Sequence, residues 1–278
     1  MTLKTIKNTL RSLLPSLTGG VWGWVFLFIS CTTIDESDRY VYVPVASSSR
    51  AVLIEDFTGQ RCVNCPNAAE EIERLKKEYG TDSIIAVGIH GGEFAIYSNA
   101  KFLGLRTEEG DEYYKHWGVE QQPIGMVNRR GGLSTVDNWF KLVNEAIKQP
   151  TDIRFELTPV LMENGRLNVC LNIIGGEPID ANLQLWLTES NIVALQKMPD
   201  GTTNQNYVHN HVFRRSINGT WGEPYKSAQG EIRYLEFECE LDETWKPENL
   251  SVVAFIYGDK GVEYVAESPI QAYGFELE

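Results

Sequence analysis

The residues best placed to do chemistry are Cys62 and Cys65, in the run Cys62-Val63-Asn64-Cys65-Pro66. They lie between Ala51-Val52-Leu53-Ile54-Glu55-Asp56-Phe57, which reads as a strand, and Ala68 to Tyr79, which reads as a helix. A helix N-terminus carries partial positive charge and unpaired N–H groups, and both stabilise a thiolate. The thiolate is the reactive form of cysteine, so two thiols at this position point to thiol–disulfide exchange. Zinc sites use the same CxxC spacing. Here Cys31, Cys170 and Cys239 are scattered singly, and no second CxxC or HxxxH is present. A four-ligand structural zinc site therefore cannot be assembled from paired motifs, and no metal is assigned.

The elements that must position this pair alternate in type. Ser83 to His90 is a nearly continuous apolar run of the kind found in strands covered on both faces. A helix is expected over Thr107 to Trp117, a strand over Ile124 to Val127, and a helix over Val136 to Lys148, where Trp139, Leu142, Val143 and Ile147 share a face. Between Gly92 and the helix at Thr107 lies an aromatic segment. Phe94, Tyr97 and Phe102, with Tyr113 beyond, are candidates for an apolar rim around the disulfide or for cover of the sheet. His90, ending its strand, either tunes the first sulfur or is a hydrogen-bonded strand-end histidine.

The surroundings of the motif resemble thioredoxin. Asp56-Phe57-Thr58-Gly59-Gln60-Arg61-Cys62 matches that family's acid, aromatic and loop before the first cysteine, and Gly118 to Pro123 is similar to the segment carrying its cis-proline. The resemblance implies a Cys62–Cys65 disulfide in which Cys62 is the nucleophile and Cys65 resolves. Asp56 is then the buried acid that accepts a proton from Cys65, and Pro123 packs in cis beside the disulfide. Two departures stand out: Arg61 occupies the usual tryptophan position, and Pro66 follows the motif instead of lying inside it. Arg61 either lowers the thiol pKa by proximity or is a solvated loop residue.

Beyond Pro150 the helical period gives way to short alternating runs. Ile153 to Leu157, Leu167 to Ile174, Leu183 to Thr188, Tyr207 to Arg214, Ile232 to Leu241, Val252 to Tyr257 and Val262 to Ala266 all read as strands. The fold expected is thus an α/β thioredoxin-like domain over 50–150, followed by an all-β, antiparallel, immunoglobulin-like sandwich over 151–278. On these strands Cys170 falls on the polar face and Cys239 on the apolar one, so the two are expected to be free. His209 and His211 would share a strand face as half of a metal site, but no third ligand is indicated.

Residues 1–30 read as an address. Lys4, Lys7 and Arg11 precede the apolar run Val21 to Ile29, which is too short for a mature membrane span but suits a signal peptide. Ser30-Cys31 behind that run resembles a bacterial lipobox. The resemblance implies cleavage before Cys31 and acylation of its sulfur and new N-terminus, an anchor of two or more chains. Residues 31–49, with Asp35, Glu36 and Asp38, read as a flexible acidic tether.

The formal charge of the chain is −13, and without residues 1–30 it becomes −16, with 22 Lys and Arg against 38 Asp and Glu. Such a chain repels nucleic-acid phosphates, so nucleic acid is excluded as a partner. Membrane attachment must come from the lipid. Leader, CxxC region and a β-rich half containing Tyr207-Val208-His209-Asn210-His211-Val212-Phe213-Arg214 together resemble the outer membrane protein 28-related lipoprotein family. This implies an outer membrane location, facing the periplasm or the cell surface.

Two functions follow as expectations. One is an extracytoplasmic thiol–disulfide oxidoreductase or isomerase, with no cofactor beyond the sulfur pair and with cysteine-containing clients or a redox partner. The other is a surface-exposed binding or adhesion lipoprotein whose CxxC is a structural disulfide. The anchor is testable by itself. A Cys31→Ala variant is expected to appear as a soluble periplasmic form or an uncleaved precursor, and membrane fractionation after leader cleavage would rule out the lipid.

Overall fold

The computed structural model describes residues 50–272, so the leader, Cys31 and the tether lie outside the described residues. The N-terminal portion forms β1 (Val52–Thr58), α1 (Cys65–Tyr79), β2 (Ile84–His90), α2 (Glu108–Trp117), β3 (Ile124–Val127) and α3 (Trp139–Ala146). Strands only follow: β4 (Ile153–Leu161), β5 (Arg166–Gly175), β6 (Ile179–Glu189), β7 (Ile192–Lys197), β8 (Thr203–His209), β9 (Val212–Ser216) and β10 (Glu223–Ser227). The last are β11 (Ile232–Glu240), β12 (Leu250–Gly258), β13 (Gly261–Pro269) and β14 (Gln271–Ala272).

The expected pair of separate domains does not form. Fourteen strands stand against three α-helices among the described residues, and one eight-stranded sheet runs through both portions in the order β13-β12-β6-β9-β2-β1-β3, with β10 also on β6. The stretch read as one strand from Tyr207 to Arg214 is the reason. It breaks at His211, whose φ of 55° lies in the left-handed region, and leaves β8 on one side and β9 on the other. β9 then sits between β6, which it pairs antiparallel, and β2, which it meets parallel at Gly88↔Val212. A second sheet, β11-β5-β4-β14, packs on the β6 and β12 end of the first. The chain is therefore mostly β, and the face-to-face packing that resembles a sandwich shares its larger sheet with the CxxC portion.

Alternation along β1 explains the layers. Val52 and Ile54 face α1 and α3, in a core with Ala68, Leu75, Val127 and Trp139. Leu53 and Phe57 face the opposite side, with α2, Trp186, Phe213 and Phe255. Tyr113 belongs to this second core, fully buried against Trp186 and Phe213, so it is not part of an exposed rim. Cys170 is half-buried and Cys239 is buried, both unbridged.

Glu55 lies on the same face as Leu53 and Phe57 and meets Arg129, which follows β3. The guanidinium donates to Glu55 Oε1 and Oε2 at 2.9–3.2 Å, and both side chains are almost completely buried. Arg129 also lies 4.4–5.5 Å from the rings of Trp117, Trp186, Phe255 and Tyr257. Removing one partner of such a pair strands a buried charge, which costs about 3–5 kcal/mol. Arg129→Met or Glu55→Leu alone is expected to lower the urea midpoint accordingly. The double replacement should recover most of the loss, and additive losses in the double variant would argue against a coupled pair.

Candidate functional site

The sulfurs sit where β1 hands over to α1. Cys65 is the first residue of α1 and Pro66 occupies its first turn, where a missing N–H costs nothing. No acidic residue lies in that turn, so nothing there offsets the positive end of the helix dipole. Cys62 and Cys65 form a disulfide. The loop before it is clamped from two sides. Arg61 N–H donates to Phe94 O at 2.8 Å, and a Cβ on Gly59 would meet the Phe94 carbonyl carbon at 2.6 Å, so only glycine fits there. From β7, the Gln196 amide donates to Cys62 O at 2.8 Å, and Lys197 N–H donates to Gln60 O at 2.8 Å.

The structure brings Asp56, His90 and Cys65 to one cavity of about 300 Å³, whose walls also include Gln196, Tyr207 and His209. Asp56 is only 5% exposed and its Oδ1 has no hydrogen-bond partner. Burial pushes its carboxyl up to about 7. His90 is held neutral by burial and by the neighbouring His209, their ring centroids 5.6 Å apart. Burial also lowers His209 to about 4. His209 and His211 do not share a strand face. His211 turns to Lys76 of α1, whose Nζ lies 2.6 Å from its Nε2. Among the described residues no group of side chains has metal-holding geometry.

Pro123 follows a cis peptide bond from Gln122. Because Ile124 pairs with Phe57, Pro123 lies at the sheet end from which the CxxC loop departs. Gln122 secures that end: its amide donates to Gly91 O at 3.0 Å and to Tyr114 Oη, which donates in turn to Thr58 O at 2.9 Å. Arg61 projects to solvent, and its side chain makes no ion pair among the described residues. Both cysteines are buried, Cys62 at 4% exposure and Cys65 at 3%.

Gln60, Tyr114, Gln122 and Gln196 escape a reading by motif, since they hold backbone and not sulfur. The one local signal is Gln196 in Ile192-Val193-Ala194-Leu195-Gln196, where it falls on the apolar, buried face of β7.

Residues 110–272 match the family model described as outer membrane protein Omp28. The chain belongs to that family, and its location is the outer membrane. Among solved structures it is similar to HBP35 of Porphyromonas gingivalis, at 15% identity and TM-score 0.64, over 84% of this chain and 80% of that one. A domain of the outer membrane lipoprotein Omp28 from Porphyromonas gingivalis matches at 18% identity and TM-score 0.33, over 44% of this chain and 90% of that one. No curated relative matches the chain.

Asp56 makes stability depend on pH with a definite sign. Its folded pKa of about 7 lies above the ordinary 3.8, so the native state binds more protons between those values and stability falls as pH rises through them. At roughly 1.4 kcal/mol per unit the loss approaches about 4 kcal/mol. His209 acts oppositely, adding stability as pH rises from about 4 to 6.5. Subtracting an Asp56→Asn profile isolates the acid. Wild type is expected to lose stability relative to the variant from pH 4 to pH 7, and parallel profiles would show that Asp56 ionises normally.

Proposed function

We propose that the protein exchanges disulfides with cysteine-containing client polypeptides outside the cytoplasm, held at the outer membrane by lipid on Cys31. The observation that carries this reading is Asp56, a buried carboxyl without a partner, in the same cavity as Cys65. A carboxyl left unpaired at that depth costs folding free energy, and a pKa of about 7 suits it to exchange protons with a thiol near neutral pH.

In the oxidising direction a client thiolate attacks Cys62 Sγ. The Cys62–Cys65 bond breaks and its electron pair leaves on Cys65 Sγ, at the positive end of α1. The Asp56 carboxyl donates its proton to that thiolate. A second client thiol, its proton lost to solvent, attacks the client sulfur of the mixed disulfide and expels Cys62 as thiolate. The client departs as a disulfide, oxidised by two electrons, and the Cys62–Cys65 pair is reduced by two. The same steps reversed reduce a client, and a return attack within one client isomerises it.

A second reading rests on the burial of both sulfurs: a binding or adhesion lipoprotein in which the bond is static. The reduction potential separates the two. Equilibration with glutathione is expected to give a value above about −300 mV for an exchanging pair, whereas a lower value marks a structural bond. A Cys65→Ala variant should accumulate mixed disulfides through Cys62, and a Cys62→Ala, Cys65→Ala double variant should accumulate none. A low potential with no trapped client in Cys65→Ala would leave the binding reading standing.

A further inference from the structure

Five of the ten large hydrophobic side chains that stand exposed among the described residues lie in two short segments beside the disulfide. They are Val63 at 42%, Phe94 at 44%, Tyr97 at 47%, Phe102 at 40% and Leu103 at 46%. The segments are joined by the Arg61–Phe94 backbone hydrogen bond and by Gln60, whose amide donates to Leu103 O at 2.9 Å and accepts from Leu105 N at 3.0 Å. Such clustering of apolar surface marks an interaction site, where scattered residues would not.

The loop bearing these side chains is ordered by its own bonds. Ser98 Oγ donates to Gly104 O and accepts from Gly104 N, and Asn99 Oδ1 accepts from Lys101 N and Phe102 N. Ala95, Ile96 and Leu105 anchor it in the core. Tyr97 donates from its hydroxyl to Asp111 and lies 4.7 Å beneath the Arg106 guanidinium. The aromatic rings are thus presented outward on fixed backbone, which reduces the ordering cost of binding. Behind them Tyr97, Phe102 and Leu103 line a groove of about 660 Å³ with Trp245 and Arg214.

Charge indicates what fits. Within the two segments Arg61 and Lys101 are exposed without ion pairs against Glu93, and around the groove Arg106 and Arg214 stand against Asp111 and Asp242, a small positive excess in a chain whose net charge is −13. This patch is a place where an acidic apolar segment escapes the repulsion it meets elsewhere on the surface.

We propose that 61–64 and 93–105 form the docking surface for an extended client segment, apolar or aromatic with acidic flanks, that delivers its cysteine to Cys62. This rests on the exchange reading for its chemistry, and the test keeps binding apart from chemistry. The probe is a fluorescein-labelled synthetic peptide alternating Leu and Phe, with Glu flanks and Ser in place of cysteine, measured by fluorescence polarisation. The control peptide has Lys flanks.

A Phe94→Ser, Phe102→Ser double variant, whose fold is checked by circular dichroism, is expected to bind the Glu-flanked peptide at least tenfold more weakly. Arg61→Glu with Lys101→Glu should reverse the preference between the two peptides. Unchanged affinity in the first variant overturns the docking surface even if the protein exchanges with glutathione. A tenfold loss in a protein that never exchanges with glutathione or with the cysteine form of the peptide upholds the surface and sinks the redox reading. A wild-type dimer that the Phe94 and Phe102 substitutions dissociate would make the occupant a second copy, and would overturn the client proposal.

Discussion

The buried pair of Glu55 and Arg129 is the contact on which the two portions of the chain depend. Glu55 comes from the strand that leads to the sulfurs, and Arg129 from the turn after the strand beside it. The four rings around the guanidinium come from α2, β6 and β12, so three distant parts of the sequence converge on one charge. Burial opposes the charge on Arg129, but the Glu55 carboxylate and its hydrogen bonds hold the pKa above the ordinary value. A buried ion pair is seldom a net source of stability compared with apolar packing, but it tolerates little change of geometry. It fixes how β1 and the turn after β3 fit against the rings of α2, β6 and β12 more than it strengthens the fold.

The turn that carries Arg129 follows the same logic. Asn128 and Arg129 both have φ near 50°, a left-handed conformation that side chains resist. Asn128 offsets this cost with three long-range bonds. Its Oδ1 accepts from Leu53 N, its N–H donates to Leu53 O, and its carbonyl accepts from Val262 N, all at 2.8 Å. One strained turn thereby ties the motif strand to β13. The cost is local and the constraint is global.

The sequence legibly carried the parts of the site that are local. The strand, loop and helix start that carry Asp56, Cys62, Cys65 and Pro66 lie within fifteen residues, and the resemblance to thioredoxin named Asp56 as a buried acid, which in the fold is 5% exposed. What remained hidden is non-local. A five-residue strand, Val212 to Ser216, carries no pattern announcing that it will lie between β6 and β2, and the left-handed residue His211 gives no signal of its own. Two expected domains therefore become one sheet. Gln196 and His209 were hidden for the same reason: their roles exist only once β7 and β8 fold back across the motif. Of the two places open to Tyr113, rim or cover of the sheet, the fold takes the second, because an aromatic in an amphipathic helix reads alike in both until the sheet beneath it is known.

This shared architecture bears on how the sulfurs behave. The cavity beneath Cys65 has a floor from β1 and β2 and a wall from the β7–β8 hairpin, so a segment more than a hundred residues away sets the solvation of Asp56. Gln196 of that hairpin also holds the Cys62 carbonyl. β7 and β8 pair only with each other, outside both large sheets, and β8 is largely exposed over Asn204 to Asn206. Elements with few buried contacts open at lower free energy than the sheets they lie on. The burial of Asp56 and the hold on the Cys62 carbonyl therefore both depend on one hairpin from the β-rich portion of the chain.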